Sequence, residues 1–346
     1  MKEKYFAASN SSNGFCSYYD GIFSIKKLLR IYVIKGGSGT GKAFFMKEVA
    51  SCAEKKGYSV RYIYCSSDSK SLDGVIINEL SIAVLDGTSP HVYEPKILGA
   101  AETIVDLGRF LDERILSGCR KKIECIYDKK KNGFEKVYRY LRAYSEINEN
   151  INSLVAPAVK REKLSKYINR FVEVIESGEG KEENLLVRAI GMRGLSSFDT
   201  YFDRAKIYYA VNDYFDTAYI FMRELYSALK EKHVDMIISN NPIISSKIDA
   251  LEIVENGLVF EITNDHSNAR TVNMKRFIDN EYISNIRTEY RTIVRARDSM
   301  LRLALDEFER IKEFHFTLEK IYGAAMDFGA KEEFTREFCN KIFEKN

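Results

Sequence analysis

The run Gly36-Gly37-Ser38-Gly39-Thr40-Gly41-Lys42 constrains this chain more than any other feature. It stands between residues 28–34 (LLRIYVI), an apolar, β-branched run of strand length, and residues 43–56 (AFFMKEVASCAEKK), which place Phe45, Val49 and Cys52 on one helical stripe. Gly57 follows where a left-handed helix cap belongs. The loop has the spacing GxxxxGK, and each part has a physical reason. Glycines let the backbone curl until its N–H groups point inward at an anion. The helix that follows directs its positive dipole end at the same place. Lys42 adds a mobile point charge that reaches β and γ phosphates. A strand before and a helix after is the context this motif requires.

The motif departs from its usual form at the next position. A hydroxyl is expected there as a Mg²⁺ ligand, and the residue is Ala43. A methyl group ligates nothing, so the metal's share of charge stabilisation in phosphoryl transfer is weakened. Water can take the vacant coordination position, which leaves room for residual turnover. Downstream, Ile82-Ala83-Val84-Leu85 ends in Asp86, the form of a Walker B strand whose carboxylate holds Mg²⁺ through water. Gly36 to Ala43 are the candidate phosphate-binding residues. Lys42 and Asp86 are the candidate catalytic pair, with Asp86 the candidate metal residue.

Residues 58–65 (YSVRYIYC) read as a second strand and Ser81–Leu85 as a third, an α/β order that predicts a parallel sheet flanked by helices. Residues 100–115 and 134–147 read as helical, which predicts a helical insertion at about 100–150. Length over ~150 residues predicts about two domains for 346. We expect a P-loop domain over 1–155, a connection over 156–190 and a second domain over 191–346.

The second half repeats the first. With a shift of 176, residues 31–56 lie on 207–232 without a gap: Phe45-Met46 meet Phe221-Met222, and Glu48, Ser51 and Lys56 meet Glu224, Ser227 and Lys232. Asp73 meets Asp249 and Glu79 meets Glu255 in the same frame; RFLD at 109–112 resembles RFID at 276–279. The loop itself is not repeated. Asn212, Asp213, Tyr214, Phe215, Asp216, Thr217 and Ala218 replace Gly36 to Lys42, with neither glycine nor lysine.

These residues together resemble an uncharacterised bacterial family of predicted ATPases built from two tandem P-loop domains. The resemblance is carried by GFCSYYDG at 14–21, KGGSGTGK at 35–42, CSSDSKSLDGVIINEL at 65–80 and AVLDGTSPH at 83–91. It implies a tandem P-loop α/β fold, ATP as ligand with Mg²⁺, and the roles given above for Lys42 and Asp86. It implies no particular second substrate.

Other candidates are weaker. Ser66, Ser67, Asp68 and Asp73 follow the second strand, where loops face the ligand crevice of an open parallel sheet; turn and helix-start chemistry is the competing and favoured explanation, above all for Asp73, which recurs as Asp249 where no phosphate loop survives. His91 lies just beyond the Walker B segment, and Glu79 precedes the third strand. Arg193, Arg204 and Arg223 are candidates for an arginine supplied by the second half. Arg120, Lys121, Lys122, Lys129, Lys130, Lys131 and Lys136 crowd one stretch, but Glu124, Asp128 and Glu135 interrupt it.

A net charge of +3 from 53 basic and 50 acidic residues argues against an electrostatically driven nucleic-acid binder. The sequence has no apolar window of 18 residues and no leader-like N-terminus, and its six cysteines form no CxxC pair, so a cytoplasmic chain with reduced thiols and no membrane partner is expected. The first reading is an ATP-binding protein with weak or no hydrolysis. A small-molecule kinase with residues 100–150 as a lid is an alternative. So is a non-catalytic scaffold that acts through oligomerisation or an unidentified protein partner.

Overall fold

The computed structural model describes residues 2–90, 92–265 and 269–343; His91 lies outside them. The first half contains β1 (Glu3–Phe6), β2 (Ala8–Ser11), β3 (Gly14–Ser17), α1 (Tyr19–Ile22), β4 (Arg30–Lys35), α2 (Lys42–Lys55), β5 (Val60–Tyr64), β6 (Leu72–Ile77), β7 (Ile82–Asp86), β8 (Glu102–Asp106) and α3 (Glu113–Val155). After α4 (Arg161–Glu173), the second half contains β9 (Glu182–Asn184), β10 (Arg188–Gly191), β11 (Gly194–Ser197), α5 (Thr200–Arg204), β12 (Ile207–Asn212), α6 (Ala218–Glu231), β13 (Met236–Asn240), β14 (Ile248–Ile253), β15 (Leu258–Ile262), β16 (Arg270–Asn273), α7 (Asn280–Gly323) and α8 (Phe328–Phe343).

The duplication is visible strand by strand. One sheet has the order β1-β5-β6-β7-β4-β8, and the other, read from its far edge, β9-β13-β14-β15-β12-β16. The shift of 176 carries α2 onto α6, β5 onto β13, β6 onto β14 and β7 onto β15 at both ends of each element.

Both sheets are mixed, which corrects the expected parallel sheet. β6 runs antiparallel to β5 and β7, and β14 does the same in the second half. The connections 65–71 and 78–81 are too short for the crossover that a parallel pair needs. A second correction concerns residues 100–115. Glu102–Asp106 form β8, parallel to β4, and the helix begins only at Glu113. Asp112 sets that start by accepting from the N–H groups of Arg114 and Ile115. Asp279 does the same for α7, so the RFLD and RFID blocks are matching helix starts.

The inner strands β6, β7, β13, β14 and β15 bury both faces, and this explains why such strands read as continuous apolar runs. Ile31, Val33, Ala83 and Leu85 face Tyr208, Ala210 and Val259 in one cluster that joins the two sheets. The alternate residues Ile34, Ile82 and Val84 pack under α2 and α8. Val211, Leu251 and Phe260 pack under α6 and α4. α8, the last helix of the chain, therefore closes the first sheet, and α4 closes the second.

The long helices α3 and α7 pack along one another and carry the chain between the sheets. At about 1.5 Å per residue each spans roughly 65 Å. Asp112 N–H donates to Ala325 O and Asp279 N–H donates to Ala158 O, both at 2.8 Å. These are equivalent bonds at opposite ends of the helical pair. Among the described residues no helix is long and apolar enough to cross a membrane.

Candidate functional site

The glycine-rich loop leaves β4 and enters α2. Gly39 and Gly41 have φ of +74° and +81°, a region that glycine enters without steric cost. Thr40, fully buried, ties the loop to itself by donating from Oγ1 to Gly37 O at 2.9 Å. Gly41 is the N-cap of α2 and no side chain caps the helix. The first-turn N–H groups of α2 are thus left without a side-chain acceptor, at the positive end of the helix dipole.

Lys42 folds back over the loop. Its Nζ donates to Gly36 O at 3.0 Å and Gly37 O at 2.9 Å, and lies 3.5 Å from Asp86 Oδ2. Asp86 is in reach because β7 is the direct parallel neighbour of β4, with Ile34 opposite Asp86. Burial pushes the Asp86 carboxyl above the usual aspartate range, and Lys42 and Thr88 pull it back. Thr88 donates to Asp86 Oδ1 from its N–H (2.9 Å) and its hydroxyl (2.6 Å). The sequence-expected residues 36–43 and Asp86 are therefore brought together at the carboxyl ends of two adjacent strands, where open α/β sheets hold ligands.

The far end of the helical pair walls this loop. A methyl on Gly37 would meet the Tyr322 ring at 2.8 Å, and one on Gly39 would meet Glu319 O at 2.6 Å. Lys130 turns inward from α3 and donates to His315 Nδ1 at 3.2 Å, while His315 Nε2 faces Glu319 at 3.4 Å. Burial holds the Lys130 ammonium below its ordinary pKa, and the charge of Lys42 adds to this. Lys130 belongs to the basic stretch that Glu124, Asp128 and Glu135 interrupt; nothing in its spacing separates it from its neighbours.

The other candidates have structural partners. Asp68 is forked by Arg193, through Nε to Oδ1 and through Nη2 to Oδ2 at 3.2 Å. Met192 N–H donates to Ser67 O at 2.8 Å, and a Cβ on Gly191 would meet Ser66 O at 2.3 Å. The β10–β11 hairpin of the second half thus seats on the 65–71 loop of the first. Asp73 sits on β6, where its carbonyl accepts from the Tyr19 hydroxyl at 3.1 Å. Burial, with the Asp73 carboxylate, raises the Cys65 thiol well above its ordinary pKa, which disfavours the thiolate. Glu79 accepts from Ser59 at a strand end. Arg204 pairs with Glu3 and Glu252, and Arg223 lies over Tyr219. Of the three arginines, only Arg193 lies against a loop at the carboxyl end of the first sheet.

The second half fills the equivalent place with its own acids. Asp213 accepts from Ala218 N–H at 2.8 Å and so occupies the N-terminus of α6. Asp216 takes Arg297 at 2.7 Å and the Tyr290 hydroxyl at 2.5 Å. Phe215 and Asp216 have φ of +58° and +54° without being glycine. The loop without lysine or glycine has internal carboxylates at the start of its helix; the loop with them has no side-chain cap on its helix.

Mg²⁺ fits this site poorly. Ala43 offers no oxygen, and both carboxylate oxygens of Asp86 already have partners. Among the described residues no group of three or more His, Cys, Asp or Glu is placed to hold a metal. No family model, curated protein or solved structure matches the chain.

Proposed function

We propose that residues 36–43 bind the phosphates of a nucleoside triphosphate, ATP by the resemblance to tandem P-loop proteins. Turnover is slow or absent. The chain works as a cytoplasmic nucleotide-binding protein with one live and one closed loop. The observation that carries this reading is the juxtaposition of Lys42 with Asp86, 3.5 Å apart beside an uncapped helix N-terminus. The loop amides and Lys42 bind and orient the phosphates. Asp86 fixes the Lys42 ammonium at the loop mouth. Tyr322 and Glu319 wall the loop and limit the approach of water. A metal, when bound, would supply charge neutralisation; with Ala43 in place, protein cations take most of that task.

A thermal melt with ATP, ADP and GTP, with and without Mg²⁺, tests this in the wild type and in Lys42→Ala. Ligand at 100 times its Kd stabilises by about 2.7 kcal/mol. The expected result is a shift with ATP that Lys42→Ala abolishes. No shift with any nucleotide overturns the reading.

A further inference from the structure

α4 and α8 are equivalent helices, each docked on the sheet of the other half. Lys160 N–H donates to Phe277 O (2.7 Å) and Asp327 N–H to Phe110 O (2.9 Å), the same bond in each half. In this register Tyr167, Phe171 and Ile175 correspond to Phe334, Phe338 and Ile342. Leu164 corresponds to Lys331. Leu164 is 0% exposed and packs in the core of the half whose loop is closed. Lys331 is 2% exposed and stands against the 36–43 loop.

Lys331 carries a buried charge that two aromatic rings face and that, among the described residues, no carboxylate pairs. A methyl on Gly41 would come within 3.1 Å of its Nζ, so the ammonium lies against the last turn of the loop, where α2 begins. Its Nζ lies over the Phe44 ring (4.3 Å to the centre) and the Phe328 ring (5.6 Å), cation–π contacts that offset part of the cost of burial, and among the described residues it has no ion pair and no hydrogen bond. Burial holds its pKa below the ordinary lysine value, with Glu332 and Glu48 acting only in partial compensation. A desolvated cation beside the positive end of a helix is unfavourable twice over. Leucine at the equivalent position shows that the helix–sheet contact needs no charge there.

We propose that Lys331 is a second phosphate-binding cation of the 36–43 site, supplied by the last helix of the chain in place of part of the charge that a metal at residue 43 would bring. This rests on the nucleotide reading above. An anion in the loop relieves both penalties: it pairs the ammonium and it accepts from the uncapped amides of α2. The site then has two lysines, Lys42 from the loop and Lys331 from a helix that reaches it only because the two halves exchange their terminal helices.

The test is calorimetric titration of the full chain with ATP and with inorganic tripolyphosphate, in EDTA and in Mg²⁺. Wild type is compared with Lys331→Leu, the residue of the other half, and with Lys331→Met, which keeps the length of the stem. Both variants should melt at or above the wild-type temperature without ligand. Both should lose about tenfold to a hundredfold in affinity for either ligand, as expected for one charge-assisted contact. Wild-type affinity in EDTA should fall little relative to Mg²⁺. Variants that bind like wild type overturn the role of Lys331 and leave the nucleotide site standing. A wild type that binds neither ligand overturns the site itself and the role of Lys331 with it. If Lys331→Leu fails to fold, Lys331→Met carries the comparison; if both lose the native state, Lys331 is structural and the proposal falls.

Discussion

Phe6 and Leu186 exchange both of their backbone hydrogen bonds, at 2.7 and 3.1 Å. They are equivalent residues of the two halves, so the pair lies on a pseudo-twofold axis. Around it, Ser12 N–H donates to Ile243 O and Met192 N–H donates to Ser67 O, both at 2.8 Å. Each hairpin is seated in the other half. The chain is a duplicated unit that behaves as a fused dimer, and one of its two loops has been closed.

Exchange of the terminal helices makes the first half depend on the last residues of the chain. Phe338 packs on Phe45 and Tyr32, with ring centres 4.9 Å apart in each case. Phe338→Ala should cost about 3–5 kcal/mol in denaturant unfolding. Hydrogen exchange should place the loss in α2 and its sheet before α6. Equal loosening of α2 and α6 would mean that the halves unfold as one unit.

Arg193 joins the halves through Asp68. Burial raises the Asp68 carboxyl, but the Arg193 hydrogen bonds, the Lys70 N–H and the Arg193 charge together outweigh it and hold the group below its ordinary value. A depressed carboxyl contributes stability above its unfolded pKa and loses it as pH falls through the folded value. Arg193→Leu should therefore destabilise by about 2 kcal/mol at pH 7. The gap from wild type should narrow below about pH 4. Chemical denaturation at the two pH values reads this. A gap independent of pH would assign the cost to lost packing on Phe316, whose ring Arg193 also covers at 5.8 Å.

The closed loop depends on its own acids. Asp216 neutralises Arg297, a guanidinium whose side chain is only 12% exposed. Asp216→Asn leaves that charge, among the described residues, with only the exposed Asp298 carboxylate, at 3.2 Å, and should cost about 3 kcal/mol of stability. Nucleotide affinity at residues 36–43 should stay within about twofold, since distant independent sites add. A large loss of affinity in this variant would show that the two loops are coupled through α3 and α7.

Much of this was readable in the residues. The repeat frame placed α2 and β7 on their copies, and the structure extends the same shift to β5 and β6, because a shared core holds both halves to one spacing. β8 was misread because Glu102–Asp106 (ETIVD) is short and its charged ends blur the strand pattern. β6 was not recognised because it follows the antiparallel turn that a parallel reading excludes. Lys331 could not be found from the sequence. Its meaning depends on α8 docking on the first sheet rather than the second, and long-range exchange leaves no local signal. Only the comparison with Leu164, available once the fold gives the register, sets it apart.

Ala43 offers the sharpest separation between binding and turnover. It sits in the first turn of α2, one residue after the lysine that touches Asp86. Ala43→Ser restores a hydroxyl at the position where this type of loop ligates Mg²⁺. If the new contact strengthens the transition state by about 1.4 kcal/mol, Mg²⁺-dependent phosphate release rises about tenfold. The gain should vanish in Ala43→Ser combined with Lys42→Ala, which removes the phosphate anchor. It should also vanish in EDTA, where only protein cations remain. Stronger Mg²⁺ dependence of affinity without any gain in turnover would mean that the hydroxyl recruits the metal but that no group positions the attacking water. No change in either would mean that Lys42, Asp86 and Lys331 already hold the phosphates in an arrangement a metal cannot enter, and the protein would then be a nucleotide sensor rather than a weakened hydrolase.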